Sequence, residues 1–114
     1  MNSEAEIKKK VIETLKTVYD PEIPINIYDL GLVYSIEVKN DTIEVELGVT
    51  SPLCPIAYLI AQQAEYALRK TFPDKKVDVR LNLERIWDPS RMTEEGRMLF
   101  KQLFGYDPVE RYPL

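Results

Sequence analysis

Apolar residues recur every three or four positions near the start of the chain, which predicts a helix with one buried stripe. The members of this stripe are Ile7, Val11, Leu15 and Val18. Ser3 and Glu6 form a capping box that begins the helix. We expect Asp20-Pro21 to end it, because a residue that precedes proline is disfavoured in the helical region.

The period then changes to two, which predicts a β-hairpin with one apolar and one polar face. The apolar positions of its first strand are Leu32, Tyr34, Ile36 and Val38. Those of its second strand are Ile43, Val45, Leu47 and Val49. Asn40-Asp41 supplies the turn signal between the two strands.

A second helical stripe and a third alternating segment follow the hairpin. The helix is expected from Pro55 or Ile56 to about Phe72, with apolar positions Ile56, Leu59, Ile60, Ala64, Ala67, Leu68 and Phe72. The third strand would turn inward the side chains of Val77, Val79, Leu81 and Leu83. Thr93 can then cap a short helix that runs to about Phe104, with Gly105 directly after its end.

The element order α-β-β-α-β-α predicts an α/β fold of the two-layer α+β kind, in which helices pack on one face of a small three-stranded mixed sheet. The second and third strands flank a helix, so they should be parallel with a right-handed crossover. The length of 114 residues fits one domain. We place that domain at 1–105 and a C-terminal tail at 106–114.

Composition excludes several classes of protein. The chain has no histidine, so imidazole ligands and serine or cysteine dyads with histidine are absent. The net charge of -4 argues against a nucleic-acid-binding protein. No apolar run approaches the length of a membrane span, and the first residues lack the apolar segment expected of a signal peptide. A single cysteine forms no internal disulfide, which favours a cytoplasmic location.

That cysteine, Cys54, is the principal candidate for chemistry. If Pro55 is the first helical residue, Cys54 is the N-cap, and its sulfur lies beside unpaired backbone N–H groups. We expect this position to lower the thiol pKa and to favour a thiolate, which is a nucleophile and a soft metal ligand. Thr50 and Ser51 could donate hydrogen bonds to it. The competing interpretation is a small buried apolar residue between strand and helix.

Two further groups of residues are candidates with weaker signals. Asp20, Glu22 and Asp29 lie between the first helix and the first strand, where carboxylates could complete the coordination of a metal. The competing interpretation is turn formation at Asp20 and capping at Asp29. The second group is centred on Trp87, with Asp88, Pro89 and Arg91, and an aromatic residue just beyond a strand commonly fills a core or an interface.

Three segments together resemble the PaaD-like iron–sulfur assembly family, which includes bacterial SufT-like proteins and eukaryotic adaptors of cytosolic iron–sulfur protein maturation. They are Val18-Tyr19-Asp20-Pro21-Glu22-Ile23, Asn26-Ile27-Tyr28-Asp29-Leu30-Gly31-Leu32-Val33 and Thr50-Ser51-Pro52-Leu53-Cys54-Pro55. The similarity extends from about Ser3 to Asp107. It implies metal–sulfur cluster biosynthesis, with Cys54 as the reactive or ligating cysteine. Asp20, Glu22 and Asp29 match the acidic motif of the family, and Thr50, Ser51 and Pro52 match its loop.

The resemblance also implies partners, namely a P-loop scaffold ATPase and apo iron–sulfur proteins. The phenylacetate-degradation branch carries an additional cysteine-rich C-terminal segment, which these 114 residues do not contain. We therefore expect a role in general cluster assembly.

Counting ligands indicates how such a protein would act. An iron–sulfur cluster usually takes four protein ligands, mostly thiolates, and this chain offers one. A homodimer would offer two, so we expect a transient cluster, or a cysteine that contacts a partner during transfer. We expect a non-enzymatic adaptor. The alternatives are an interaction module in which Cys54 is structural, and a thiol-dependent enzyme with a carboxylate as base.

Overall fold

The computed structural model describes residues 3–21, 23–48, 56–85 and 87–107, and for Ile56 it describes the backbone alone. Its elements are α1 (Glu4–Leu15), β1 (Val33–Lys39), β2 (Thr42–Leu47), α2 (Ile56–Thr71), β3 (Lys76–Leu81), a short 3-10 helix (Pro89–Arg91) and α3 (Glu94–Phe104). This order and the α+β class confirm the fold predicted from the hydrophobic pattern.

The three strands form one mixed sheet in the order β1-β2-β3. β1 and β2 pair antiparallel, as a hairpin requires. β2 and β3 pair parallel, as predicted for two strands joined by a helix. Val45 in the central strand lies opposite Ile36 on one side and Val79 on the other, so the apolar positions of all three strands share one face.

The core lies between that face and the two long helices. α1 packs on β1 and α2 packs on β3, and the two helices contact each other. The most completely buried side chains are Val11, Leu15, Ile25, Ile27, Leu30, Leu32, Ile43, Val45, Leu47 and Leu68. Burying a leucine or isoleucine of this kind stabilises the fold by about 1.5–3 kcal/mol relative to leaving it exposed.

The helix caps are those that the sequence predicts. The Ser3 hydroxyl accepts a hydrogen bond from the amide of Glu6 at 3.2 Å. The Thr93 hydroxyl accepts one from the amide of Gly96 at 3.0 Å. Gly105 ends α3 in the left-handed region at φ 83°, and its amide donates to the carbonyl of Lys101 at 2.8 Å. These contacts satisfy backbone groups that a helix end leaves unpaired.

α1 ends earlier than predicted, at Leu15 rather than at Asp20. The amide and hydroxyl of Thr17 both donate to the carbonyl of Thr14, which tightens the last turn. The chain is then extended at Tyr19, which pairs with Asn26 in an isolated antiparallel bridge. The helix therefore ends before Pro21, because Tyr19 is already extended and paired with Asn26.

The hairpin contains a bulge that the period-two pattern did not predict. Val33 lies opposite Leu47, whereas Ser35 lies opposite Glu46, so Tyr34 is an extra residue in β1. Its ring lies against Gly48, where a Cβ atom would overlap the ring. Tyr34 therefore does not continue the apolar stripe of Ile36 and Val38.

Two leucines expected in the core are exposed. Leu59 is 49% exposed, because α2 turns the neighbouring positions Ala57 and Ile60 inward. Leu83 is 41% exposed, because β3 ends at Leu81. The predicted position Val49 lies outside the described residues. Among the helices that the structure describes, none is both long and apolar enough to cross a membrane.

Candidate functional site

Four of the six predicted site residues, Thr50, Ser51, Cys54 and Glu22, lie outside the described residues. The segment 49–55, which contains three of them, connects Gly48 after β2 with Ile56 at the start of α2. We call 49–55 the cysteine segment. The structure describes the other two residues, Asp20 and Asp29, in the connection 16–32 between α1 and β1, which we call the acidic connection. The described part of the candidate site is therefore this connection.

Asp20 organises the first part of this connection. Its side chain is buried, and its Oδ1 accepts a hydrogen bond from the amide of Ile23 at 3.1 Å. Its own amide donates to the carbonyl of Ile25 at 3.3 Å, beside the bridge between Tyr19 and Asn26. A buried carboxylate is costly without hydrogen bonds, so these contacts favour one conformation of the turn.

Asp29 joins the connection to the N-terminus of α3. Its Oδ2 accepts a hydrogen bond from Asn26 Nδ2 at 2.7 Å, and its Oδ1 accepts one from the Thr93 hydroxyl at 2.8 Å. The amide of Asp29 in turn donates to Asn26 Oδ1 at 2.9 Å. The carbonyl of Asp29 also accepts from the amide of Thr93 at 2.9 Å. The carboxylate thus fixes loop and helix together.

Two glycines allow this close approach. A Cβ atom on Gly96 would overlap the carbonyl of Asp29, and one on Gly31 would overlap the backbone of Arg91. Gly31 also has a φ of 85°, which a residue with a side chain rarely adopts. The acidic connection and the segment 91–96 are therefore in direct backbone contact.

Trp87 is a core residue that hydrogen-bonds to the end of the same connection. It is 4% exposed, and its indole Nε1 donates to the carbonyl of Leu30 at 2.6 Å. This position agrees with the interpretation of Trp87 as a core residue. Asp88 caps the short 3-10 helix by accepting from the amide of Ser90 at 2.8 Å.

The carboxylates do not by themselves form a metal centre. Within residues 3–21, 23–48, 56–85 and 87–107, no three carboxylate or thiol side chains are grouped so that they could hold a metal ion. Both oxygens of Asp29 already accept hydrogen bonds. A role of Asp20, Glu22 or Asp29 as a ligand stays a prediction.

Sequence reasoning named Arg91 only as a neighbour of Trp87 and missed the cluster that it forms with Tyr34 and Arg85. The Tyr34 hydroxyl donates to the carbonyl of Arg85 at 3.0 Å. The guanidinium carbon of Arg91 lies 4.1 Å from the centre of the tyrosine ring, and that of Arg85 lies 5.3 Å from it. Burial raises the pKa of Tyr34, and the two arginine charges oppose that rise. The available signal was Gly48, a small residue at a strand end, which admits a ring.

The sequence of this chain is similar to those of known proteins. The sequence profile of a family described as iron-sulfur cluster assembly protein matches residues 8–81. An Fe-S protein maturation auxiliary factor of Porphyromonas gingivalis is 36% identical over 100 residues, which cover 86% of this chain and 95% of that protein. The Fe-S protein maturation auxiliary factor YitW of Bacillus subtilis is 30% identical over 96 residues, which cover 83% of this chain and 94% of YitW.

A solved structure shares the whole architecture. A conserved hypothetical protein from Thermotoga maritima superposes with a TM-score of 0.72 at 33% identity, covering 92% of this chain and 100% of that one. The match to the family profile spans α1 from Lys8 onward, the acidic connection, the hairpin, the cysteine segment, α2 and β3. The resemblance drawn from the motifs is confirmed, and the chain belongs to the iron–sulfur cluster assembly protein family.

Proposed function

We propose that this protein assists the maturation of iron–sulfur proteins by handling a cluster, or its iron, transiently at Cys54. The observation that carries the proposal is near full-length similarity to a protein named as an Fe-S protein maturation auxiliary factor, with 95% of that protein covered. In this proposal the cluster is cargo that passes to a client, and the protein itself is not an enzyme.

The number of thiolates supports transient handling. Cys54 is the only cysteine and the chain has no histidine, so one chain supplies a single thiolate ligand and no imidazole ligand. A cluster bound through one thiolate keeps positions for exogenous ligands and exchanges them readily. A homodimer would double the count to two, which still falls below the usual four. Weak, oxygen-sensitive binding is the expected result.

The acidic connection would hold the surroundings of the cluster in place. Asp29 is held between Asn26 and Thr93, and Asp20 is held by the turn it forms. We propose that this frame positions Glu22, which lies two residues after Asp20, and that Thr50 and Ser51 donate hydrogen bonds to the Cys54 sulfur. Donors of this kind stabilise a thiolate.

The partners follow from the same role. Apo iron–sulfur proteins would receive the cluster, and a P-loop scaffold ATPase would supply it. We place this exchange in the cytoplasm, where a lone thiol stays reduced.

Anaerobic reconstitution with iron and sulfide tests the role of Cys54. We expect the parent protein to develop visible absorption that Cys54→Ser loses almost completely, because serine is a poor substitute for a thiolate. Ser35→Ala, at an exposed position of β1, serves as the control and should match the parent. Equal absorption per chain in the parent and Cys54→Ser would remove Cys54 from the mechanism.

Two further measurements separate the alternatives. If Cys54 is only structural, Cys54→Ala leaves client binding and the activity of client enzymes unchanged. If Cys54 is a catalytic nucleophile, its alkylation by iodoacetamide shows an activated thiol and a turnover-dependent product. An assembly role instead predicts loss of cluster transfer in Cys54→Ala without any such product.

A further inference from the structure

Two guanidinium groups share one aromatic ring at the end of the sheet. Arg91 lies 4.1 Å from the centre of the Tyr34 ring, and Arg85 lies 5.3 Å from it. Cation–π contact with a ring face does not by itself use up the N–H donors of a guanidinium.

Neither arginine forms a direct ion pair with a carboxylate among the described residues. The other arginines with described contacts do: Arg69 pairs with Glu65, Arg80 with Glu44 and Asp78, and Arg97 with Asp107. The Nε of Arg91 is moreover buried without a hydrogen-bond partner in the part of the chain that the structure describes. Because this Nε is buried and the residue as a whole is only partly so, an incoming acceptor would meet the outer N–H groups of the fork.

The acidic groups near this cluster are engaged elsewhere. Asp88 Oδ1 accepts from the amide and the hydroxyl of Ser90, and these bonds, assisted by the charge of Arg91, lower the pKa of Asp88. Glu46 Oε1 accepts from Asn82 Nδ2 at 3.3 Å. Asp88 and Glu46 keep their negative charges near the cluster, but among the described residues neither carboxylate forms a direct ion pair with Arg85 or Arg91.

The position of the cluster connects it to both parts of the candidate site. The ring of Tyr34 lies against Gly48, the last described residue before the segment that contains Cys54. The backbone of Arg91 lies against Gly31, at the end of the acidic connection. A small molecule anchored here would lie near Gly48, the residue that precedes segment 49–55 in the sequence.

We propose that Tyr34, Arg85 and Arg91 form an oxyanion site that binds the carboxylate of a small thiol. This inference rests on the proposed function, because the thiol of the bound molecule would supply a ligand that a single cysteine leaves missing. A planar guanidinium fork matches a carboxylate, and such charge-assisted hydrogen bonds are stronger than neutral ones.

The test is a titration of the iron-free full chain, followed by NMR at the Arg91 Nε–H signal. The probes are glutathione, its analogue with alanine in place of cysteine, and inorganic phosphate. We expect glutathione and the analogue to give saturable shifts with equal affinity, because the carboxylates and not the sulfur are bound. Arg85→Gln and Arg91→Gln should each weaken binding about tenfold. Arg69→Gln, whose parent side chain pairs with Glu65 on α2, should bind as the parent does.

Two further variants separate the possible causes of weaker binding. Arg91→Lys retains the charge but not the fork, and it should also bind more weakly while remaining folded. Cys54→Ser should bind the analogue like the parent, so this site and the role of Cys54 fail independently. The proposal is overturned if no carboxylate probe gives a saturable shift, if only phosphate binds, or if all arginine variants bind equally.

Discussion

Asp29 shows how one side chain can hold the candidate site together. It accepts hydrogen bonds from Asn26, three residues away, and from Thr93, sixty-four residues away. The sequence pointed to Asp29 in two ways: its local position suggests a capping residue, and it matches the acidic motif of the family. The contact with Thr93 could not be predicted in this way, since it depends on how α3 packs against the loop. Cys54 and its neighbours lie outside the described residues and stay predictions.

Asp29→Ala should lower the free energy of unfolding by about 2 kcal/mol or more, because the Asn26 amide and the Thr93 hydroxyl lose their acceptor in a half-buried position. Urea denaturation followed by Trp87 fluorescence measures the change. Asp74→Ala, at an exposed position after α2, is the control and should change stability little. A cost at Asp29 no larger than at Asp74 would show that the carboxylate does not hold the loop to α3.

At the scale of elements, hydrophobic periodicity was sufficient for the helices and strands but not for their irregularities. The buried stripe of α1 and the parallel pairing of β2 with β3 follow from spacing and connectivity. The bulge at Tyr34 does not, because a period of two assumes regular pairing. It arises from the fit between a tyrosine ring and Gly48.

Gly48→Ala tests that fit. We expect it to lower the free energy of unfolding by about 1–3 kcal/mol, because the new methyl group would overlap the Tyr34 ring. In a Tyr34→Ala background the same substitution should cost much less, since the ring is gone. A double-mutant cycle by urea denaturation measures this coupling. Equal costs in the two backgrounds would mean that ring and glycine do not depend on each other.

Tyr34 also predicts a pH dependence. Burial raises its pKa above the ordinary value of 10.0, so the folded state keeps the phenol proton at a pH where the unfolded chain has lost it. Its contribution to stability is complete below pH 10 and is lost as the pH rises through the folded pKa. The stability difference between parent and Tyr34→Phe should therefore shrink above pH 10. A difference that stays constant from pH 8 to 11 would contradict this assignment.

At the scale of the whole molecule, the sheet and the two long helices form the core that carries the connection between α1 and β1. The hydrophobic pattern predicted this single core, whereas the family motifs predicted the iron–sulfur role. Neither could predict the arginine cluster, because Arg85 and Arg91 meet Tyr34 only after β3 has returned parallel to β2. The proposed function would depend on one thiol and on ligands that come from outside the chain.

Cluster delivery to an apo iron–sulfur enzyme, under anaerobic conditions with limiting iron and sulfide, measures that dependence. The parent protein should accelerate recovery of the enzyme's activity over the unassisted rate, and Cys54→Ser should return the rate to the unassisted value while remaining folded. Acceleration by Cys54→Ser equal to that by the parent would show that this thiol takes no part in delivery.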